Sequence, residues 1–236
     1  PVRVLTFGAA SRDFTYLENV ATPQYKLPKL NDAINAVYIG RGGHDMKKAL
    51  TILFSGFAKG LKLEPDLFGR LHFHFLGSSY APQGKAQLTI YPTAVELGVG
   101  EYVSEETERI PYFTSLQMLK NADLLIVPGS DDPAYTASKI FPYILANKPL
   151  LAIFNEESSV AKIVQETNSG YCLTFSNQNF AQERYMETAY QLLRELIIRI
   201  PFYPTTNWNA FQPYMAAELT RQQAALFDEI TNRDNG

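Results

Sequence analysis

The chain of 236 residues has little of what several kinds of protein require. It holds one cysteine, Cys172, so an internal disulfide framework is excluded and a reducing compartment fits. That cysteine sits in the apolar run Tyr171-Cys172-Leu173 and reads as a buried structural thiol. Basic residues are in slight deficit, 21 Lys and Arg against 24 Asp and Glu, for a net charge of -3. A nucleic-acid footprint is thereby excluded, although one local basic pocket for a small anion is not. No run reaches the roughly 18 apolar residues that span a bilayer, so no transmembrane segment is expected, and no stretch has the pattern of a secretory signal. Nothing resembles a Ser-His-Asp or Cys-His nucleophile set, and internal repeats and low-complexity tracts are absent.

What is present is a core-forming composition, 46% hydrophobic and 19% charged. Residues 2–8 read as a short strand, and the apolar start at Pro1 reads as a cut through a longer protein that has a further N-terminal part. A polar segment with Pro23 and Pro28 follows to about Asn35 and reads as a hinge or loop. Short apolar runs then alternate with amphipathic stretches. Strands are expected at 36–39, 71–76, 102–103, 124–127, 150–154 and 171–175. Met46, Ala49, Leu50, Leu53, Phe54 and Phe57 recur at helical spacing, with Asp45 as the expected N-cap. Further helices are expected at 92–97, 113–121, 139–146 and 160–166, and two more in the tail at 182–200 and 218–230. Continuous apolar strands alternating with amphipathic helices indicate an α/β fold, a Rossmann-like doubly wound parallel sheet with C-terminal helices. Such sheets bind ligands beyond the carboxyl ends of their strands.

Two loops at those ends attract attention. Gly40-Arg41-Gly42-Gly43-His44-Asp45 joins a strand to a helix. Its glycines let the backbone approach an anion, Arg41 offers a bidentate phosphate contact, and His44 is a further ligand contact; a plain tight turn is the other reading. Gly129 to Lys139 ends in Ser138-Lys139, where an N-cap hydroxyl, free N–H groups and a point charge suit a diphosphate, against the reading of an ordinary capped helix. Asp131-Asp132 reads as a turn or cap, since adjacent carboxylates diverge. His72 and His74 lie two apart on one face of a strand, but without a third ligand they read as packing or surface residues, and no metal is expected. Ser158 and Ser159 are cap candidates behind Glu156 and Glu157, which could alternatively meet a sugar hydroxyl.

Three stretches together resemble a known family. They are Tyr38-Ile39-Gly40-Arg41-Gly42-Gly43, then Asn121-Ala122-Asp123-Leu124-Leu125-Ile126-Val127-Pro128-Gly129-Ser130, then Ser138-Lys139-Ile140-Phe141-Pro142-Tyr143-Ile144-Leu145-Ala146-Asn147-Lys148-Pro149-Leu150-Leu151-Ala152. In order and spacing, over about residues 36–176, they resemble the C-terminal donor-binding domain of retaining GT-B-fold group 1 glycosyltransferases. The resemblance implies a leading strand and hinge at 1–35, a nucleotide-sugar-binding domain at 36–181, and helices at 182–236 that pack back toward an absent N-terminal domain. The tail around Trp208, Phe211, Phe227 and Asp228 looks like that family's terminal helices.

The implied function is transfer of a hexosyl group from a nucleoside-diphosphate sugar to a glycan or lipid-linked acceptor. The nucleotide sugar is the donor substrate and no cofactor is implied. The acceptor is held by the N-terminal half, without which this domain is expected to be inactive. By motif, Arg41 and one of Lys47 or Lys48 contact the diphosphate, with Ser138 and Lys139. Arg109, Ile110 and Tyr112 border the base, and Glu156 and Glu157 lie near the donor sugar. No catalytic residue is assigned. Arg, Lys and a helix dipole can offset leaving-group charge without a metal. The implied location is cytoplasmic, with the full-length protein peripheral at the inner face of the membrane. The sequence departs from the family at Ala134 and Pro142, where many members carry a pair of Glu; Asp131 and Asp132 are out of register to replace them. Hence the alternative of a non-catalytic nucleotide-sugar-binding or scaffold module. A 2-epimerase on the same fold needs acid/base carboxylates and a His in the cleft, which the sequence does not place.

Overall fold

The computed structural model describes residues 5–19, 32–82, 85–135 and 137–233. In chain order its elements are α1 (Ser11–Leu17), β1 (Ile34–Ile39), α2 (Lys47–Leu63), α3 (Pro65–Phe68), β2 (Leu71–Leu76), α4 (Tyr91–Glu96), β3 (Val103–Glu106), α5 (Tyr112–Asn121), β4 (Leu124–Pro128), α6 (Ile140–Ala146), β5 (Leu150–Asn155), α7 (Ser159–Thr167), β6 (Tyr171–Phe175), α8 (Gln182–Arg199), α9 (Trp208–Phe211) and α10 (Ala216–Arg233). All six strands run parallel in the order β3-β2-β1-β4-β5-β6. This is the doubly wound arrangement that the sequence predicts. Every residue of β4 and β5 is buried, because helices cover both faces of the sheet.

The amphipathic helix α2 is buried on two sides. Toward the sheet, Phe57 meets Phe73 edge-on at 5.0 Å between ring centroids, and Phe54 meets Phe75 at 5.9 Å. Toward α8, the bare Cα of Gly56 allows a close crossing: a Cβ there would lie 2.6 Å from the Ala189 Cβ. The rows of small and aromatic side chains thus fix α2 between sheet and α8, and the N-terminal end of α2 is held at the mouth of the β1 loop.

Several expectations are corrected. The segment read as hinge or loop contains α1, which has no side-chain cap and is held instead by tertiary contacts. Its Leu17 is buried, and Tyr16 packs on Phe113 of α5 at 5.0 Å. Residues 5–8 form no strand. Ala9 makes one parallel bridge to Met215, donating to Tyr214 O at 2.7 Å and accepting from Ala216 N at 3.0 Å, which ties the leading segment to the tail. Residues 2–4 of the expected strand, and Pro23 and Pro28, lie outside the described residues. The third strand is Val103–Glu106, with Tyr102 in the 3₁₀ turn before it. It is one of the two outer strands, where exposed charged residues are at home. Helices α3 and α9, four residues each, have no periodicity to betray them.

His74 is buried in β2 with both ring nitrogens occupied, by Ser104 Oγ at 2.9 Å and Asn35 Oδ1 at 3.0 Å. It is a packed, hydrogen-bonded core histidine, as one of the two sequence readings has it. Burial, with a smaller contribution from His72, lowers its pKa to about 4. The unfolded chain therefore takes up a proton here as pH falls through 6.5, while the folded chain does not until about pH 4. Stability is fully present above pH 6.5 and declines below it. Urea unfolding at pH 7.0 and 4.5 should show a pH-dependent loss about 2 kcal/mol larger in the wild type than in His74→Asn. Equal losses would contradict this reading of His74.

Candidate active site

Between β1 and β4 the chain order reverses, so the loops leaving these two strands diverge and open a crevice at the carboxyl edge. Into it come the loop from Gly40 to Asp45 and the loop from Gly129 to Lys139. The first is laid along the β2 exit by Gly40 N donating to Leu76 O at 3.0 Å and Gly42 N donating to Ser78 O at 2.7 Å. Tyr143 of α6 fastens the end of β1, accepting from Ile39 N at 2.6 Å and donating to Ile39 O at 3.1 Å.

Arg41 and Lys139 meet in this crevice, but not as two free cations. Lys139 Nζ donates to the Tyr38 hydroxyl at 2.5 Å and lies 4.6 Å from the centre of the Tyr38 ring. The Tyr38 hydroxyl in turn donates to the Arg41 carbonyl at 2.7 Å. Gly40 has φ +151°, and a Cβ there would meet Lys139 Nζ at 2.4 Å. That glycine is needed for both its backbone angle and the space it leaves. Although part of Lys139 reaches the surface, desolvation of its ammonium lowers the pKa to about 7. The Arg41 charge adds to this, and Asp45 opposes it. Burial pushes Tyr38 upward.

Arg41 forms a two-pronged pair with Asp45: Nη1 to Oδ1 at 2.9 Å and Nη2 to Oδ2 at 2.6 Å. The pair raises Arg41 and holds Asp45 near 2. The guanidinium also stacks on Tyr135, 5.2 Å from the ring centre. Asp45 is therefore not the expected N-cap. A 3₁₀ turn, His44–Met46, precedes α2, Met46 holds the cap position, and no side chain caps the helix. The expected cap at Ser138 is likewise absent. Lys139 occupies the cap position of α6, without a side-chain bond, and the helix has seven residues. Thr136 of this loop lies outside the described residues.

The other candidates are spread around the rim. Lys48 turns toward the β4 and β6 loops, donating to Asn177 Oδ1 at 2.8 Å and lying 3.8 Å from Asp131 Oδ2. Lys47 turns to α4, 3.1 Å from Glu96. Arg109 stacks on the exposed Tyr80 at 5.1 Å. Ile110 packs against the core. Tyr112 points to α1, donating to Asp13 at 2.6 Å, and burial together with this carboxylate pushes it up to about 12. Glu156 and Glu157 are exposed in the turn before α7, where Ser158 is the cap, accepting from Val160 N at 3.3 Å. Asp132 accepts from Ala134 N at 2.9 Å, the turn role expected for it. Among the described residues no three His, Cys, Asp or Glu are grouped so as to hold a metal.

Sequence reading misses Tyr38, Tyr80, Tyr135 and Glu105. The Glu105 carboxylate accepts from Ser78 Oγ and from the amides of Thr89, Ile90 and Tyr91, closing the loop before α4. Two cavities lie elsewhere, one of about 220 Å³ at the amino-terminal ends of β5 and β6, bordered by Arg199 and Tyr203, and one of about 400 Å³ along α7 and β6. Neither contains Arg41 or Lys139.

A six-stranded parallel sheet in this order, with cationic side chains at its switch point, defines a Rossmann-like fold. No protein-family model and no curated protein matches the chain. Solved structures do share its fold. WaaG, a glycosyltransferase involved in lipopolysaccharide biosynthesis, is 16% identical with a TM-score of 0.53, over 90% of this chain and 51% of its own. Anabaena Alr3699/HepE, solved with UDP and glucose, is 15% identical with a TM-score of 0.53, over 84% of this chain and 49% of its own. A glycosyltransferase from Rickettsia africae is 11% identical with a TM-score of 0.58, over 97% and 57%. The chain shares its fold with one half of each of these three structures and spans about half their length.

Among the described residues Lys139 has a phenol for a partner and no carboxylate, so its charge is a burden on the fold. The unfolded chain, with a lysine near 10.5, binds more protons than the folded one between pH 7 and 10.5, so this burden lessens as pH rises. Replacing it by Lys139→Met removes the burden and leaves the Tyr38 hydroxyl still donating to Arg41. Thermal and urea unfolding should show Lys139→Met more stable by about 1 kcal/mol at pH 7, with the gain shrinking by pH 9. A variant less stable than wild type at pH 7 would refute the reading.

Proposed function

We propose that the chain is the donor-binding half of a glycosyltransferase. It binds a nucleoside-diphosphate sugar at the β1/β4 crevice for transfer of a hexosyl group to a glycan or lipid-linked acceptor held by a second half. One observation carries the reading: two cations, Arg41 and Lys139, come from the two loops at the switch point of a doubly wound sheet, with no carboxylate paired to Lys139 among the described residues. A desolvated ammonium near neutrality gains its proton and a partner when a diphosphate arrives. The fold likeness to glycosyltransferases, one of them solved with UDP and glucose, supports it.

In this reading Arg41 and Lys139 bind the diphosphate, Ser138 supplies loop contacts, and Lys48 rather than Lys47 is the cation from the start of α2, because Lys48 faces the β4 loop. Arg109 with Tyr80 and Ile110 forms the base side, while Tyr112 is occupied by α1. Glu156 and Glu157 lie on the β5 exit, open to a sugar. The leading segment and α10 pack toward the second half, none of the described α10 residues being fully buried, whereas α8, the first of the C-terminal helices at 182–236, packs on α2 of its own domain. No described helix is long and apolar enough to cross a membrane. We place the reaction on the cytoplasmic side, with the whole protein peripheral to the membrane.

The second reading is a binding module without transfer chemistry. Pro142 in the first turn of α6 and Ala134 in the exposed turn before it leave this part of the crevice without the pair of Glu that the sequence resemblance implies. Calorimetry with UDP, GDP and ADP separates binding from its absence. One of the three should bind at millimolar concentration or better, and Arg41→Ala or Lys139→Ala should weaken it about tenfold or more. No binding by any of them would overturn both readings. Binding without transfer by a chain complete with its second half favours the module.

A further inference from the structure

The cation that the proposed diphosphate site depends on is already engaged. Both terminal nitrogens of Arg41 are committed to Asp45, and that edge of a guanidinium is one that can clasp two oxygens of a phosphate. The pair is built into the loop and is not a chance meeting of surface charges. Asp45 stands four residues on from Arg41, across the bare Cα of Gly43. A Cβ at Gly43 would meet Asp45 Oδ1 at 2.3 Å and Arg41 Nη1 at 2.6 Å, so a glycine is what lets the two close. The Asp45 main chain is pinned by the opposite wall, its carbonyl accepting from Asp131 N at 2.8 Å. Tyr135 covers one face of the guanidinium. Both side chains keep about a third of their surface in water, so the pair can exchange with a solute anion.

We propose that Asp45 is an internal competitor of the ligand: its carboxylate closes on Arg41 while the crevice is empty and must be displaced before Arg41 can clasp a phosphate. This rests on the diphosphate reading above. One carboxylate carries one charge, and a diphosphate carries more, with Lys139 beside Arg41 to receive it. Anions of low charge cannot repay the broken pair, and diphosphates can. Asp45 thereby sets how tightly the site holds an anion. The apparent affinity is the intrinsic affinity multiplied by the fraction of Arg41 released, so removing the competitor tightens binding.

Inorganic pyrophosphate tests this without reference to any base. Its dissociation constant, and that of orthophosphate, are measured by calorimetry for wild type, Asp45→Asn, Arg41→Ala and the double variant. A part-exposed pair of this kind predicts that Asp45→Asn binds pyrophosphate about five- to tenfold tighter. It should gain about as much for orthophosphate, since the fraction of Arg41 released is the same for both. In the Arg41→Ala background the same change should gain little. No gain in Asp45→Asn overturns the proposal. So does an equal gain with and without Arg41, which is simple repulsion at a distance. If Asp45→Asn does not fold, the wild type carries the test: the Asp45 carboxyl carbon signal must move as pyrophosphate saturates the site, and a stationary signal overturns the proposal. Should these results hold while no nucleoside diphosphate binds, the competitor stands and the nucleotide reading fails. Should a nucleoside diphosphate bind without them, only the competitor fails.

Discussion

The carboxyl edge of this molecule is organised by the junction of β1 with β4. There the winding of the sheet changes direction, and no crossover covers the gap. Tyr38 near the end of β1 bridges it, receiving Lys139 from beyond β4 and donating to the backbone of its own loop at Arg41. Gly40, Tyr143 and the α2 start are all arranged around that bridge. The open crevice is thus a consequence of topology, and its charge a consequence of which side chains close it. Once β1 and β4 are neighbours, the Gly-rich loop and the loop ending at Lys139 have to face one another.

The electrostatics of the crevice are those of a site balanced internally. Arg41 has an anion, Asp45, and Lys48 has Asp131 and Asn177. Lys139 sheds part of its charge by desolvation. Such balance lets a cationic pocket persist in a chain whose net charge is -3, and it keeps the pocket from attracting arbitrary anions. The cost falls on stability at Lys139, a common feature of functional sites, where local rules are broken and compensated elsewhere.

The sheet and its long helices were legible because their cause is local. A buried parallel strand needs four to six consecutive apolar residues, and 124–127 and 150–154 supply them. Helix α1 was illegible for the opposite reason: its stability comes from α5 and not from caps or periodicity. At the site, glycine spacing and the Ser-Lys pair pointed to Arg41 and Lys139. Their surroundings were hidden. Tyr38 reads as core in an apolar run, and its partner is 101 residues away. Asp45 satisfied two local rules at once, as a helix cap and as an i,i+4 partner of Arg41. The cap was expected and the pair formed, since the 3₁₀ turn moves the helix start past it. The same turn chemistry at 137–139 withdrew Ser138 from the cap position.

The central claim is that the ligand enters at the β1/β4 crevice and not at the two cavities beside β5, β6 and α7. Amide chemical-shift mapping during titration with UDP tests it most directly. The account predicts perturbations concentrated at residues 40–45 and 129–139, with Tyr80 and Arg109 following. Perturbations centred on Arg199, Tyr203 and Thr205, or none up to millimolar UDP, GDP or ADP, would contradict it.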